Sequence, residues 1–338
     1  MNKMIAALIA VIVFLLAAGA WFFFISLPVA SVTPVPVTIG TTPFEVSGLI
    51  FIAEDQGYFE RNGILPTIRM YDAGINAVDA LYTGDVDIAT AADFVFARQV
   101  LEGRPVRAIA SLGKSEFHYI IARNDTGIRN ISDLKGKKVG VARGTSGDFF
   151  LGRFLEFQGM TLRDITIVDL PPARVAVPLV NGSVDAVSTW DPYATATEKR
   201  LGDNVRVWPD QKGRPMYWIA LCRKDYITGN GTEVLKVLSA LRQAEKISTD
   251  HPDKAKTIVR KRLGTDDAYL GRVWPHTQLT LSLDQSLVFA VEDEARWIIA
   301  NNLTDATALP DITAFISTGS LNKINPGSVN IITRGERP

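Results

Sequence analysis

"ALYTGDVDIATAAD" at residues 80–93 and "PLVNGSVDAVSTWD" at residues 178–191 are two copies of one pattern. They share Leu81 with Leu179, Gly84 with Gly182, Val86 with Val184, Asp87 with Asp185 and Asp93 with Asp191. In each copy a glycine closes an apolar helical stretch, and a short apolar run then ends on an aspartate. This is the sequence of a helix, its C-cap and a buried strand. A glycine leading into a strand is common, so one copy decides little; several matches in the same order imply a duplicated α/β unit.

The flanking sequence extends both copies. "VPVTIGTTP" (35–43) reads as a strand, "SGLIFIAEDQGYFERNGI" (47–64) as a helix from a Ser cap to Gly63, "PTIRMYDAG" (66–74) as a strand and "INAVDALYTG" (75–84) as a helix. The second unit repeats the alternation through "KKVGVARGTSG" (137–147), "SGDFFLGRFLEFQGM" (146–160), "TIVDL" (166–170) and "PARVAVPLVNG" (172–182). Gly48 and Gly63 are spaced as Gly144 and Gly159 are. Strands alternating with helices predict parallel sheets with right-handed crossovers. "ASLGKSEFHYIIARNDT" (110–126) and "RPMYWIALCRKDYI" (214–227) read as connecting strands, so the later helices "EVLKVLSALRQAEKIS" (233–248) and "QSLVFAVEDEARWIIANN" (285–302) return to the first lobe. Two lobes joined by two strands form a hinge over a cleft.

Composition narrows the function. Lys+Arg and Asp+Glu both number 36 in 338 residues, and no long basic run is present, which argues against nucleic acid as a partner. The lone Cys222 forbids an intramolecular disulfide. Met4 to Leu27 is an uncharged, mostly apolar run; at roughly 36 Å as a helix it is long enough for a bilayer core of about 30 Å. "AGA" (18–20) offers a cleavage site, but the apolar run continues past it, which favours an uncleaved anchor. Either way the body is expected outside the cytoplasmic membrane, tethered or released, after the proline-rich spacer "PVASVTPVPV" (28–37).

In open α/β sheets the crevice lies beyond the carboxyl ends of the strands. Asp93 and Asp191 fall there, with Trp190 beside the second, and are expected on opposite walls of the cleft. The competing reading is a helix cap for each aspartate, which Pro192 supports, and core packing for Trp190. "ARGTSGD" (142–148) places a small-residue turn at a helix start, where free N–H groups and the helix dipole favour an anion and Arg143 adds charge. "TTPFEVSG" (41–48), with Ser47 and Gly48, is its counterpart in the first unit. Phe44, His118, Tyr119 and Trp218 are weaker candidates for the walls. The three histidines have no metal-ligand spacing and no nucleophile elbow is present, so no catalytic residue, metal or cofactor is expected.

Four strings, "AEDQGYFERNGI", "LYTGDVDIATAAD", "ISDLKGKKVGVARGTSGDFFLGRFLEFQGM" and "VDLPPARVAVPLVNGSVDAVSTWDPYATATEK", resemble the extracytoplasmic substrate-binding proteins of the nitrate, sulfonate and taurine type that serve ABC importers. The resemblance spans roughly residues 37–320. It implies an α/β type II periplasmic-binding-protein fold: two lobes joined by two hinge strands around a ligand cleft. It also implies a monomer that closes on a small organic solute and delivers it to a permease and its ATPase. The expected division is an anchor and spacer at 1–36, lobe 1 at 37–120 plus 223–330, and lobe 2 at 121–222. The implied contacts are Phe44, Glu45, Ser47, Gly48, Asp72, Gly74, Ala92, Asp93, Gly144, Thr145, Ser146, Trp190 and Asp191. An aliphatic sulfonate or taurine-like solute is the leading expectation. Carboxylates beside the anion site would repel a bare anion and favour a zwitterion, or a neutral heterocycle on Trp190. A thiamine-precursor pyrimidine, a nitrate-like anion and a ligand-sensing role are the alternatives. A pyrimidine-precursor synthase of the same fold needs a cysteine cluster that a chain with one cysteine lacks.

Overall fold

Eleven strands form two sheets in the computed structural model, which describes residues 33–211 and 213–332. They are β1 (Val35–Thr41), β2 (Ile64–Met70), β3 (Ile88–Ala92), β4 (Val106–Ser115), β5 (His118–Arg123), β6 (Lys138–Val141), β7 (Thr166–Asp169), β8 (Ala186–Trp190), β9 (Val205–Pro209), β10 (Met216–Arg223) and β11 (Thr277–Gln278). The six-stranded sheet runs β11-β4-β10-β3-β1-β2 and the five-stranded sheet β7-β6-β8-β5-β9. The apolar segment 4–27 lies outside the described residues. Among the described residues no helix is long and apolar enough to cross a membrane.

The duplication is visible in the pairing. In one sheet β1 lies parallel to both β2 and β3; in the other β6 lies parallel to both β7 and β8. The two strands carrying the repeated motif, β3 and β8, are buried along their whole length, as central strands covered on both faces are. Neither sheet is wholly parallel, contrary to the expectation from alternation alone. β10 runs antiparallel to β3 and β4, and β5 antiparallel to β8 and β9. These are the segments that pass between lobes, and a strand arriving from the other lobe enters its sheet from the opposite end.

The stretch 110–126 is therefore two strands, β4 in one sheet and β5 in the other, broken at Glu116 and Phe117. The second crossing occupies 210–215, because β10 already belongs to the six-stranded sheet, ahead of the boundary expected at 222. β9 was not foreseen: "VRVWP" is an edge strand with a mixed burial pattern and no clean alternation. Gln211 ties the two crossings together. Its Oε1 accepts from the N–H groups of Phe117 (2.5 Å) and His118 (2.9 Å), and its Nε2 donates to Ser115 O (3.1 Å).

The glycine spacing holds only in part. Gly63 and Gly159 both adopt the left-handed conformation, at φ 73° and 70°, where a helix turns into the next strand. Gly48 starts a helix at φ −55°, whereas Gly144 precedes one at φ 77°, so these two are not conformational equivalents. The later helices return as expected: Gly231–Asp250 packs on Gly48–Asp55, and Gln285–Ala300 on Asp93–Leu101. With their partners they share one hydrophobic core with the first sheet, while the second sheet has a smaller core on each face.

Candidate ligand-binding site

Four helical segments begin where β1, β2, β3 and β6 end, and their N-cap residues converge. Phe44 caps the turn Glu45–Ser47 that leads into Gly48–Asp55; Ala73 caps Gly74–Thr83, Ala92 caps Asp93–Leu101 and Thr145 caps Ser146–Glu156. All four residues line one cavity, together with Gly74, Ile75, Val95, Phe117, His118, Ser146, Trp190, Met216 and Trp218. The cavity thus sits at the carboxyl edge of both sheets, where helix N-termini bring the positive ends of their dipoles together. None of these lining residues is Asp, Glu, Lys or Arg.

The walls are aromatic. Trp190 lies 5.3 Å from His118 and 5.9 Å from Tyr193 by ring centroids, and Phe44 meets Tyr193 edge-on at 5.9 Å. Thr145 is fixed as a cap, its Oγ1 donating to Ala142 O (2.7 Å) and accepting from Gly147 N (3.2 Å). Ser146 Oγ stands 2.9 Å from His118 Nε2. Burial lowers His118 to a pKa of about 3, so its imidazole is neutral at physiological pH. The cavity is small, about 20 Å³, room for about one water molecule.

Six of the expected contacts border this cavity: Phe44, Gly74, Ala92, Thr145, Ser146 and Trp190. Eight do not. Asp93 turns back to accept from the N–H groups of Phe94 and Tyr217, both at 3.1 Å, beside buried Glu294. Asp191, joined to Pro192 by a cis bond, is fully buried; it accepts from Thr195 N (3.0 Å) and Oγ1 (2.6 Å), and Arg272 Nε lies 3.0 Å from it. Neither aspartate faces the cleft, because a carboxylate with N–H and guanidinium partners costs far less than one aimed into an apolar cavity. Glu45 lies behind the wall, accepting from Tyr269 Oη at 2.6 Å. Ser47 bonds Thr41 (2.7 Å), Gly48 packs so tightly that a Cβ would lie 2.6 Å from Leu279, and Asp72 offers only its carbonyl to Tyr193 Oη (3.1 Å). Arg143 pairs with Asp148 at 3.1 Å and, with Gly144, borders an adjoining cavity that also contains Arg98 and Leu303. A Cβ on Gly144 would meet the Arg98 guanidinium at 2.0 Å, which, with its positive φ, reserves the position for glycine.

The acids buried behind the site predict a pH dependence. Burial pushes Glu45 up to about 7 and Asp93 up to about 6, and holds Glu294 and Asp210 well above the carboxylate range. Each keeps its proton to higher pH folded than unfolded, so its contribution is complete below an unfolded pKa of roughly 4 and is lost as pH rises through the folded value. His118 acts oppositely: its folded pKa is depressed, so its contribution grows as pH rises toward roughly 6.5, and then stays constant. Four acids outweigh one histidine. The melting temperature should be higher near pH 5 than near pH 8, and Glu45→Gln should flatten part of the decline. A melting temperature that climbs over that interval would contradict the buried, protonated state of these groups.

Two α/β lobes around a cleft with aromatic walls and helix N-termini define the type II periplasmic-binding-protein fold. Residues 45–255 match the family described as NMT1/THI5 like, and the chain belongs to it. A binding protein of Brucella abortus is 28% identical over 249 residues, covering 72% of this chain and 76% of that protein. An aliphatic sulfonates-binding protein of Escherichia coli is 28% identical over 201 residues, covering 57% and 61%. The alkanesulfonate-binding protein SsuA of Xanthomonas axonopodis pv. citri, solved bound to MOPS, superposes with a TM-score of 0.74 at 22% identity, over 84% of this chain and 99% of that one.

Proposed function

We propose that this chain is the extracytoplasmic solute-binding component of an ABC importer. It would trap a small organic solute between its lobes and deliver it to a membrane permease and its ATPase. The lobes would be the bodies around the two sheets, expected at 37–120 plus 223–330 and at 121–222; that β9 and β10 lie in different sheets supports a second crossing between them. The observation that carries this reading is the cavity at four helix N-caps: its donors and dipoles suit an electronegative head, and its aromatic walls suit an apolar body.

An aliphatic or aryl sulfonate without an amine fits best. Taurine, whose ammonium would need Asp93 or Asp191 in the cleft, is disfavoured, because no lining residue is acidic and an ammonium would be desolvated without a partner. The uncharged aromatic walls favour a flat neutral heterocycle as the second reading. Calorimetry on the full chain in detergent, with butanesulfonate, benzenesulfonate, nitrate, taurine and an aminopyrimidine, separates these. Micromolar or tighter binding of a sulfonate or the pyrimidine, without chemical turnover, is the expected result. Turnover of any compound, or binding of nitrate alone, would refute the reading.

A further inference from the structure

Two polar atoms at the cavity have no partner. The Trp218 indole Nε1–H and His118 Nδ1 are fully buried, with no hydrogen-bond partner among the described residues, and both side chains line the cavity. Trp218 is 3% exposed and His118 2%. A buried indole N–H left unpaired is costly, and an indole can only donate. The group that satisfies it must therefore be an acceptor.

The second atom belongs to a pair. His118 is neutral and its Nε2 faces the Ser146 hydroxyl at 2.9 Å, so a single proton is shared between the ring nitrogens. With Ser146 donating to Nε2, Nδ1 carries hydrogen and is a second donor; with the other tautomer, the hydroxyl is released to donate. In both arrangements the pair supplies one donor beyond Trp218; in the second, Nδ1 is also a bare acceptor. The strand register explains why the three side chains border one cavity. His118 on β5 lies opposite Trp190 on β8, Trp218 on β10 lies opposite Ala92 at the end of β3, and Ser146 opens its helix between the two sheets.

We propose that Trp218 from one lobe and the Ser146–His118 pair from the other determine ligand specificity, by requiring a hydrogen-bond acceptor and offering an ammonium group no charged partner. The inference rests on the solute-binding reading above and narrows its ligand to a molecule with an acceptor-bearing, amine-free buried end. It applies equally to a sulfonate oxygen, a carbonyl oxygen or a ring nitrogen. None of the lining residues is a carboxylate that would accept from an ammonium.

Matched probes test it: ethanesulfonate against taurine, and benzamide against benzylamine, each titrated by calorimetry into the full chain in detergent. At least one acceptor probe should bind tenfold or more tighter than its amine counterpart. Trp218→Phe, which keeps an aromatic wall and removes the N–H, and Ser146→Ala should each weaken that probe about tenfold. Circular dichroism melts check that each variant is folded; should Trp218→Phe fail to fold, Ser146→Ala decides alone. Equal or tighter binding of the amine member overturns the inference. So does unchanged affinity in both variants for a probe whose binding Trp190→Ala abolishes, an outcome that leaves the solute-binding reading standing. Failure of every probe to bind the wild type would overturn both.

Discussion

Trp190→Ala is expected to weaken solute binding at least 100-fold, about 2.7 kcal/mol, and to lower the melting temperature by several degrees. The indole is 4% exposed, borders the cavity, and holds His118 at 5.3 Å and Tyr193 at 5.9 Å. Its removal takes away an aromatic wall and leaves a hole where close packing had been. Truncating a buried aromatic costs roughly 3–5 kcal/mol in stability. The affinity loss should exceed what destabilisation explains, because the folded fraction stays near one while the stacking surface is gone. Calorimetry beside a thermal melt separates the two terms. A variant that binds any panel solute with wild-type affinity would remove Trp190 from the site.

Arg272→Met is the second large effect, and it acts on stability. The guanidinium lies 3.0 Å from Asp191, 2.7 Å from Glu198 and 4.1 Å from the centre of the Tyr119 ring. Arg272 comes from the helix Asp267–Val273, whose Tyr269, Leu270 and Val273 join the core of the six-stranded sheet, and its partners from β5, the end of β8 and the helix after it. Asp191 is fully buried; burial raises its pKa, against the lowering effects of Thr195 and Arg272. Removing the cation leaves a buried carboxylate with its hydroxyl and N–H donors but no counter-charge, a change that costs about 3 kcal/mol. The loss should be recovered in part by Asp191→Asn in the same chain, because the uncompensated charge is then gone. Denaturant melts of the two single variants and the double variant measure the coupling. A pair of additive effects would mean that Arg272 and Asp191 are neighbours without mutual dependence.

The same geometry explains which residues were legible in advance. Phe44, Gly74, Ala92, Thr145, Ser146 and Trp190 line the cavity because each stands at the end of a strand or the start of a helix, positions that local pattern reveals. Asp93 and Asp191 share those positions, but their carboxylates turn away from the cavity. Their partners Tyr217 and Arg272 lie far along the chain, and no local pattern announces them. Gln211 and Trp218 were missed or underweighted for a related reason. A glutamine between two strands has no periodic signature, and an unpaired indole N–H exists only once the surrounding acceptors are counted.

From the residues alone came the duplicated unit, the strand-end location of the cleft and the family, all set by short-range spacing of apolar residues, glycines and helix caps. The tertiary structure alone decided the sign of the site. By giving each aspartate a partner at long range, it leaves the cavity free of acidic side chains and walled by aromatic rings. Desolvation is the reason: a buried carboxylate goes where its charge is met, and only the folded chain determines where that is.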